Sequence, residues 1–180
     1  QKKNWETILT KCEENSIKSI KYSMELPVDA IEMDIYFTKD NVPVVNHDPS
    51  LNRIYRIDEC IININFSKIS GIIPSLDEIL KIVNGNKKLF IEIKGIPSEK
   101  NLTKLSSLLS SYSGSYTILS FNYNTLKFLS HFFSSYILTF VTSNVFSNEI
   151  IELITHEKLF DNIALCHTSV DTKNMEQYVN

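Results

Sequence analysis

The feature of this sequence that most constrains its fold is a regular alternation of strand-like and helix-like segments from residue 88 onward. Short runs of β-branched and aromatic residues are separated by longer segments whose apolar residues have helical spacing. The strand-like runs are 88–95, 116–121, 136–141 and 162–167, and the helical segments are "SEKNLTKLSSLLSS", "NTLKFLSHFF" and "SNEIIELITHEKLF". Strands joined by helices at this spacing form a parallel sheet that is covered by helices, so the pattern predicts an α/β fold.

Ahead of that region the sequence predicts two further strands, a hairpin extension and two helices. The strands are 5–10 and 29–37, the hairpin extension is "VPVVNHD", and the helices are "ENSIKSIKYSMEL" and "SLDEILKIV". Asn15 or Ser16 is placed to cap the first helix and Ser75 the second, because their side chains accept hydrogen bonds from free backbone N–H groups. Residues 51–74 carry no regular pattern and are predicted to be irregular.

The six predicted parallel strands fit two architectures. A TIM-type (β/α)8 barrel needs eight strands, so on that interpretation the chain forms an incomplete barrel of about six βα units. An open doubly wound sheet would be complete with six strands and is the alternative. The length of 180 residues predicts a single domain over 1–180. An unclosed barrel has unpaired strand edges, and we expect a helix, further residues or a second chain to cover them, which allows self-association.

Composition narrows the classes of partner. The chain has 18 Lys and Arg against 21 Asp and Glu, and the basic residues are dispersed, so nucleic acid is not an expected partner. No apolar run is long enough to form a transmembrane segment, and the polar start lacks a signal-peptide pattern, which favours the cytoplasm. Because the sequence does not begin with Met, we expect a processed or trimmed chain, and the compartment is left open. Three widely separated cysteines predict ordinary thiols rather than a disulfide framework.

Acidic residues alternate with apolar ones in two of the predicted strands. Glu32 and Asp34 of "AIEMDI" share one face, because residues two apart in a strand point the same way. Glu92 and Lys94 of "LFIEIKG" share a face in the same manner. If these strands are neighbours in a barrel, the four side chains point into its interior near the carboxyl ends of the strands, where barrel enzymes place their active sites.

Three carboxylates in such a place predict a bound divalent cation. Without one, the charges of Glu32, Asp34 and Glu92 would repel one another and raise the pKa values of the carboxyl groups. Mg²⁺ or Ca²⁺, which bind oxygen ligands, would relieve the repulsion and leave coordination positions open for a phosphate and water. The alternative is a solvated polar face on an exposed sheet, and the repetition of the pattern on two strands favours the metal site.

His47 lies in a loop after the hairpin extension, between Asn46 and Asp48. An imidazole with an ordinary pKa of about 6.5 suits proton transfer at neutral pH. A single histidine is more often a structural hydrogen-bonding residue. The short separation from Glu32 and Asp34 favours a role as general acid or base.

The order of these residues resembles that of the glycerophosphodiester phosphodiesterase family. The stretch "ENSIKSIKYSMELPVDAIEMDIYFTKDNVPVVNHDPSLNR" is similar to the family's E-N-T helix, E-x-D strand and H-D loop, and "LFIEIKG" and "ILSF" follow in order. The resemblance implies a TIM barrel that hydrolyses small-molecule glycerophosphodiesters to glycerol 3-phosphate and an alcohol, in glycerol and lipid metabolism. It implies that Glu32, Asp34 and Glu92 hold a divalent cation and that Lys94 contacts the phosphodiester. It also implies that His47 acts as a general acid or base, and that Ser120 and Phe121 lie at the end of the next strand, at the mouth of the barrel.

The sequence departs from the family's pattern near its start. The family has an H-R-G motif there, with a second catalytic histidine and a phosphate-binding arginine, whereas this chain has Thr10, Lys11 and Cys12. Lys11 supplies a positive charge without the bidentate geometry of arginine, and Thr10 cannot carry a proton near pH 7. His167, at the end of the last predicted strand, is a candidate substitute.

Three kinds of function therefore stay open from the sequence. The chain is an active phosphodiesterase, a catalytically degenerate relative that binds a cation and a phosphate-bearing ligand, or a structural or interaction domain. The intact set of carboxylates argues against the last, because unused buried carboxylates are costly. The sequence indicates neither the alcohol part of a substrate nor a choice between Mg²⁺ and Ca²⁺.

Overall fold

The computed structural model describes residues 12–132, 137–142 and 162–165. Within these ranges, the predicted helices and strands occur in the predicted order, with one short additional helix at Asn52–Tyr55. They are α1 (Ile17–Glu25), β1 (Ala30–Phe37), β2 (Pro43–Val45), α2 (Asn52–Tyr55), α3 (Leu76–Val83), β3 (Lys88–Ile93), α4 (Glu99–Ser110), β4 (Tyr116–Ser120), α5 (Tyr123–Phe132), β5 (Ile137–Thr142) and β6 (Asn162–Leu165). The strand predicted at 5–10 and the helix predicted at "SNEIIELITHEKLF" lie outside the described residues.

Serine caps set the starts of the two helices for which the sequence predicts them. The Ser16 hydroxyl accepts a hydrogen bond from the Ser19 N–H at the start of α1, and the Ser75 hydroxyl does the same for Glu78 in α3. In each case the residue three positions on bonds back to the backbone of the cap, which completes a capping box. The stretch predicted to be irregular is only partly so, because it contains α2 and the 3₁₀ turns Ile61–Asn63 and Phe66–Lys68.

The strands form one curled half-barrel sheet in the order β2-β1-β3-β4-β5-β6. Strand β1 pairs in parallel with β3, and each later strand adds in parallel to the one before it. The antiparallel strand β2 pairs Val45 with Ile35, which confirms the predicted hairpin. In a doubly wound sheet the strand order reverses at a switch point, and no reversal occurs among the described strands. The incomplete TIM-type barrel is therefore confirmed, and the open doubly wound alternative is wrong.

The two faces of this sheet have opposite chemistry. The outward side chains of β1 and β3 are almost fully buried against the helices; they are Ile31, Met33, Ile35, Leu89, Ile91 and Ile93. Residues at the alternate positions point to the inside of the half-barrel and include Glu32, Asp34 and Glu92. The predicted alternation is thus confirmed, and the apolar face fixes the register that sets the acidic side chains on the inner face.

Part of the free edge of β2 is covered by another segment of the same chain. The Val45 N–H donates to the Pro74 carbonyl at 2.8 Å, and Val44 forms a bridge with Ser75. Self-association through open edges stays a prediction, as does the single domain over 1–180. Among the described residues, no helix combines the length and apolarity needed to cross a bilayer.

Candidate active site

Three carboxylates meet on the inner face at the carboxyl ends of β1 and β3. The parallel register places Asp34 directly beside Glu92, and Glu32 lies two residues earlier on the same face. One oxygen from each of the three residues lies within 4.8 Å of the other two, and this is the one such group of three within the described ranges. We call Glu32, Asp34 and Glu92 the acidic cluster. Asp34 is buried in the protein, whereas Glu32 opens to solvent at the mouth.

Burial and like charge shift the ionisation of Glu32. Glu32 keeps exposed surface at the mouth, but protein atoms around its carboxyl group displace part of the water there, and this desolvation, followed by the charges of Asp34 and Glu92, raises the pKa of Glu32 from 4.5 to about 7. The positive charges of Lys94 and His47 only partly offset this rise. Glu32 therefore keeps its proton to a higher pH than an ordinary glutamate does.

Lys94 lies against two members of the acidic cluster. Its ammonium nitrogen is 3.0 Å from Asp34 Oδ1 and 2.5 Å from Glu92 Oε1. Burial opposes the charge on Lys94, but the hydrogen bonds to Glu92 and Asp34 outweigh it and raise the pKa of the amine. The Lys94 N–H also donates to the Ile35 carbonyl at 3.1 Å, which continues the pairing of β3 with β1 and fixes the residue at the rim.

Asn15 holds Asp34 through two hydrogen bonds. Its amide nitrogen donates to Asp34 Oδ2 at 2.9 Å, and its amide oxygen accepts from the Asp34 N–H at 3.3 Å. Asn15 has a φ of 54°, in the left-handed region that asparagine tolerates better than most residues. The sequence indicates this residue only as a possible cap, yet Ser16 is the cap. The one available signal was an asparagine directly before that cap.

The loop after β2 brings His47 to the same mouth. The Asn46 N–H donates to the Asp34 carbonyl at 3.0 Å, so His47 follows immediately after the pairing with β1 ends. Its side chain is about half exposed, and its Nδ1 lies 2.8 Å from Asp48 Oδ1. The hydrogen bond to Asp48 is the main cause that raises the pKa of His47, and Asp34 adds to it.

A second charge network supports this loop. The Arg53 guanidinium binds both the Asp48 carboxylate and the Glu14 carboxylate. The bond from Arg53, followed by that from His47, lowers the pKa of Asp48, and the two carboxylates raise the pKa of Arg53. We call residues 46–53 the histidine loop. Arg53 was not expected from the sequence, because its partners lie 5 and 39 residues away.

Some of the remaining candidate site residues lie near the mouth of the half-barrel, and the others are residues that the structure does not describe. The Phe121 ring is exposed, with its centroid 5.7 Å from the Lys94 ammonium. Ser120 is buried, and its hydroxyl donates to the Ile93 carbonyl at 3.0 Å, so it ties β4 to β3 and faces no open space. Thr10, Lys11 and His167 lie outside the described residues.

A half-barrel with polar side chains gathered at the carboxyl ends of its parallel strands belongs to the TIM-barrel class. Within that class, the model of the glycerophosphoryl diester phosphodiesterase family matches residues 2–151. The chain belongs to this family. The family resemblance seen in the sequence is thereby confirmed.

Individual relatives are distant in sequence. The Bacillus subtilis (strain 168) protein YhdW, provisionally named as a glycerophosphodiester phosphodiesterase, is 26% identical over 115 residues, which are 56% of this chain and 47% of YhdW. The chain thus spans about half the length of this curated relative.

Solved structures support the same fold. An Oleispira antarctica phosphodiesterase in complex with the product sn-glycerol-3-phosphate matches with a TM-score of 0.83 and 18% identity, over 95% of this chain and 76% of that one. A glycerophosphodiester phosphodiesterase from Thermotoga maritima matches with a TM-score of 0.74 and 21% identity, over 88% of this chain and 70% of that one. At these identities the likeness concerns the fold.

Proposed function

We propose that the chain acts as a metal-dependent phosphodiesterase that hydrolyses glycerophosphodiesters to glycerol 3-phosphate and an alcohol. One observation carries this proposal: three carboxylates and a lysine converge at the carboxyl ends of two adjacent strands in a chain of this family. Structural ion-pair networks also form such groups, but a raised pKa at an open mouth is typical of a functional site.

The acidic cluster suits a hard divalent cation. All three side chains offer carboxylate oxygens, which are the ligands that Mg²⁺ and Ca²⁺ prefer. The raised pKa of Glu32 is consistent with this fit, because burial first and the charges of Asp34 and Glu92 second disfavour a carboxylate that a bound cation would stabilise. Glu32, Asp34 and Glu92 would hold the ion, which when bound polarises a phosphoryl oxygen and stabilises the charge that develops on it.

Lys94 is placed to contact the phosphodiester. Its ammonium lies beside the acidic cluster with most of its side chain buried, so its charge is poorly screened by water. When the phosphate enters, the non-bridging oxygens compete with Asp34 and Glu92 for this ammonium. The residue then binds and orients the phosphate next to the cluster.

His47 is the candidate for proton transfer. Asp48 binds Nδ1 and turns the ring in one direction, so Nε2 is the nitrogen that would meet the substrate. Because Asp48 raises the pKa of His47, a larger share of the imidazole is protonated near neutral pH, and this suits donation of a proton to the departing alcohol oxygen. Proton acceptance from the attacking group would use the same nitrogen in its neutral form.

A second candidate function is binding without efficient turnover. It is favoured by Thr10, which stands where the family has its other catalytic histidine. Loss of one proton carrier is expected to slow hydrolysis by about 10²- to 10⁴-fold.

An assay for release of glycerol 3-phosphate from glycerophosphocholine and glycerophosphoethanolamine distinguishes between the two candidate functions. We expect release with Mg²⁺ or Ca²⁺ and none with EDTA. Saturable binding of the cation and of glycerol 3-phosphate without any release would favour the degenerate relative, and release that ignores EDTA would contradict the metal-dependent mechanism.

A further inference from the structure

A cavity of about 400 Å³ opens beside Lys94 at the mouth of the half-barrel. The loops after β1 and after β3 form its walls, and its accessible lining is predominantly apolar. The apolar side chains that matter most are those of Tyr36, Phe37, Ile62 and Ile96. This volume lies in the range of small-molecule sites. Lys94 lines the cavity and its ammonium also contacts Glu92 of the acidic cluster, so the cavity adjoins the cluster through this lysine, although none of the three carboxylates lines it.

The most exposed large apolar side chains of the described residues gather at this mouth. Ile96 is 75% exposed and Ile62 is 70% exposed, and both line the cavity. Phe121 is 57% exposed and faces the ammonium of Lys94. Single exposed apolar residues are ordinary, but a cluster of them around one opening indicates a binding surface.

Hydrogen bonds tie both walls of the cavity to neighbouring helices. The Asn101 amide donates to Asn41 Oδ1 at 3.1 Å, and the Lys104 ammonium donates to the Asp40 carbonyl at 2.8 Å, so α4 holds the loop after β1. On the other wall, Gly95 has a φ of 69°, which glycine adopts without strain, and its carbonyl accepts from Thr125 at 3.1 Å. The side-chain oxygens of Asn41 and Asn101 are already occupied, because Asn41 Oδ1 accepts from Asn101 and Asn101 Oδ1 accepts from the Ser98 N–H and hydroxyl.

We propose that this cavity receives a hydrocarbon chain on the departing alcohol of the phosphodiester, so that the preferred substrates are amphiphilic glycerophosphodiesters. The proposal rests on the proposed function, because it assumes that the phosphate lies between Lys94 and the acidic cluster. The glycerol half carries hydroxyl groups that would lose hydrogen bonds against apolar walls. An alkyl chain gains from the same walls, since burying its surface removes it from water.

The test is a series of glycerophosphodiesters of ethanol, butanol, hexanol and octanol, kept below their micelle concentrations. The full chain is measured with Mg²⁺ or Ca²⁺ in two ways: binding by calorimetry, and release of glycerol 3-phosphate. We expect affinity and kcat/KM to rise by about two- to fourfold per methylene until the cavity is full. Esters of ethanol that carry an octyl chain on the glycerol instead should show no such gain.

Variants link the chain-length effect to the cavity. Ile96→Ser and Ile62→Ser should each flatten the rise with chain length. Ile72→Ser, at an isoleucine that does not line the cavity, should keep both the basal activity and the rise. Thermal melts of all three variants show whether each remains folded.

The two readouts separate this inference from the proposed function. Release without any dependence on chain length would overturn the inference and leave the phosphodiesterase standing. Binding that strengthens with chain length, but without release, would support the inference and overturn the phosphodiesterase. A gain from the octyl chain on the glycerol alone would overturn the assignment to the alcohol, and no binding of any ester would overturn both proposals.

Discussion

The acidic cluster and the histidine loop stand side by side at one mouth, but their charges are balanced in different ways. In the cluster, Asp34 and Glu92 are held close together by the pairing of two strands, and burial, followed by the charges of Asp34 and Glu92, raises the pKa of Glu32. In the loop, each charged group has a partner of opposite sign, because Arg53 binds Asp48 and Asp48 binds His47.

If the chain binds a cation as proposed, this difference predicts that the acidic cluster, and not the histidine loop, depends on it. The strand register forces the carboxylates together and leaves negative charge that a divalent ion would balance. The loop needs no such ion, and its exposed ion pairs each contribute little to stability. Removal of the cation should therefore disturb the cluster and leave the geometry of His47 intact.

Glu92→Gln should give the largest effect. The substitution keeps the shape of the side chain and removes one anionic ligand, so cation affinity falls and hydrolysis slows by about 10³- to 10⁴-fold. Activity and calorimetric cation binding are measured together, with the exposed Glu25→Gln as the matched control. Unchanged cation binding in Glu92→Gln would refute the role of this residue.

His47→Ala should give the next largest effect, and only on the chemical step. We expect kcat to fall by about 10²- to 10³-fold, because the proton carrier is lost while the cation ligands are kept. His131→Ala removes an exposed histidine on α5 and serves as the control. An equal fall in cation affinity and in kcat would show that the two regions do not act separately.

Substitution of Asn15, which lies outside the acidic cluster, tests whether its hydrogen bonds to Asp34 support cation binding by the cluster. Asn15→Gly keeps the left-handed backbone without strain and removes both bonds to Asp34, so cation affinity should fall by about 10- to 100-fold. Asn15→Ala should lose the same affinity and in addition about 1 kcal/mol of stability, because alanine is strained at this φ. Calorimetry and thermal melts measure the two effects, and wild-type affinity in Asn15→Gly would exclude the positioning role.

The smallest effect concerns pH and the stability gained from the cation. The pKa of Glu32 is about 7 in the fold against an ordinary 4.5, so the stability linked to its neutral form is present at low pH and lost as pH rises through about 7. A cation that binds the ionised carboxylates offsets this loss. The rise in Tm on adding Mg²⁺ or Ca²⁺ should therefore be larger at pH 8 than at pH 5.5.

Glu32→Gln is the control for that experiment, because glutamine does not titrate. Most of the difference between the two pH values should disappear in this variant. A cation-induced rise in Tm that is equal at both pH values in the unsubstituted chain would contradict the shifted pKa of Glu32.

The sequence predicts the acidic cluster, but it does not predict the residues that hold the cluster in place. A period of two in the strands places Glu32, Asp34 and Glu92 on one face wherever β1 and β3 pair in register, so local pattern and fold class suffice. The bond from Asn15 to Asp34 spans 19 residues, and it depends on how α1 docks against β1.

The histidine loop likewise contains a contact that the sequence could not predict. The position of His47 follows from the short hairpin, whereas the ion pair of Arg53 with Glu14 spans 39 residues and arises only from the folded path of the chain. The cavity beside Ile96 was also absent from the sequence prediction, because it is formed between two loops whose local patterns carry no recognition signal.

Calorimetric titration of the metal-free chain with Mg²⁺ and with Ca²⁺ tests the central claim most directly. The account predicts saturable binding of one ion per chain, with proton release near pH 7 as Glu32 ionises, and loss of that binding in Glu92→Gln. The absence of saturable binding of either ion, or binding that Glu92→Gln leaves unchanged, would contradict it.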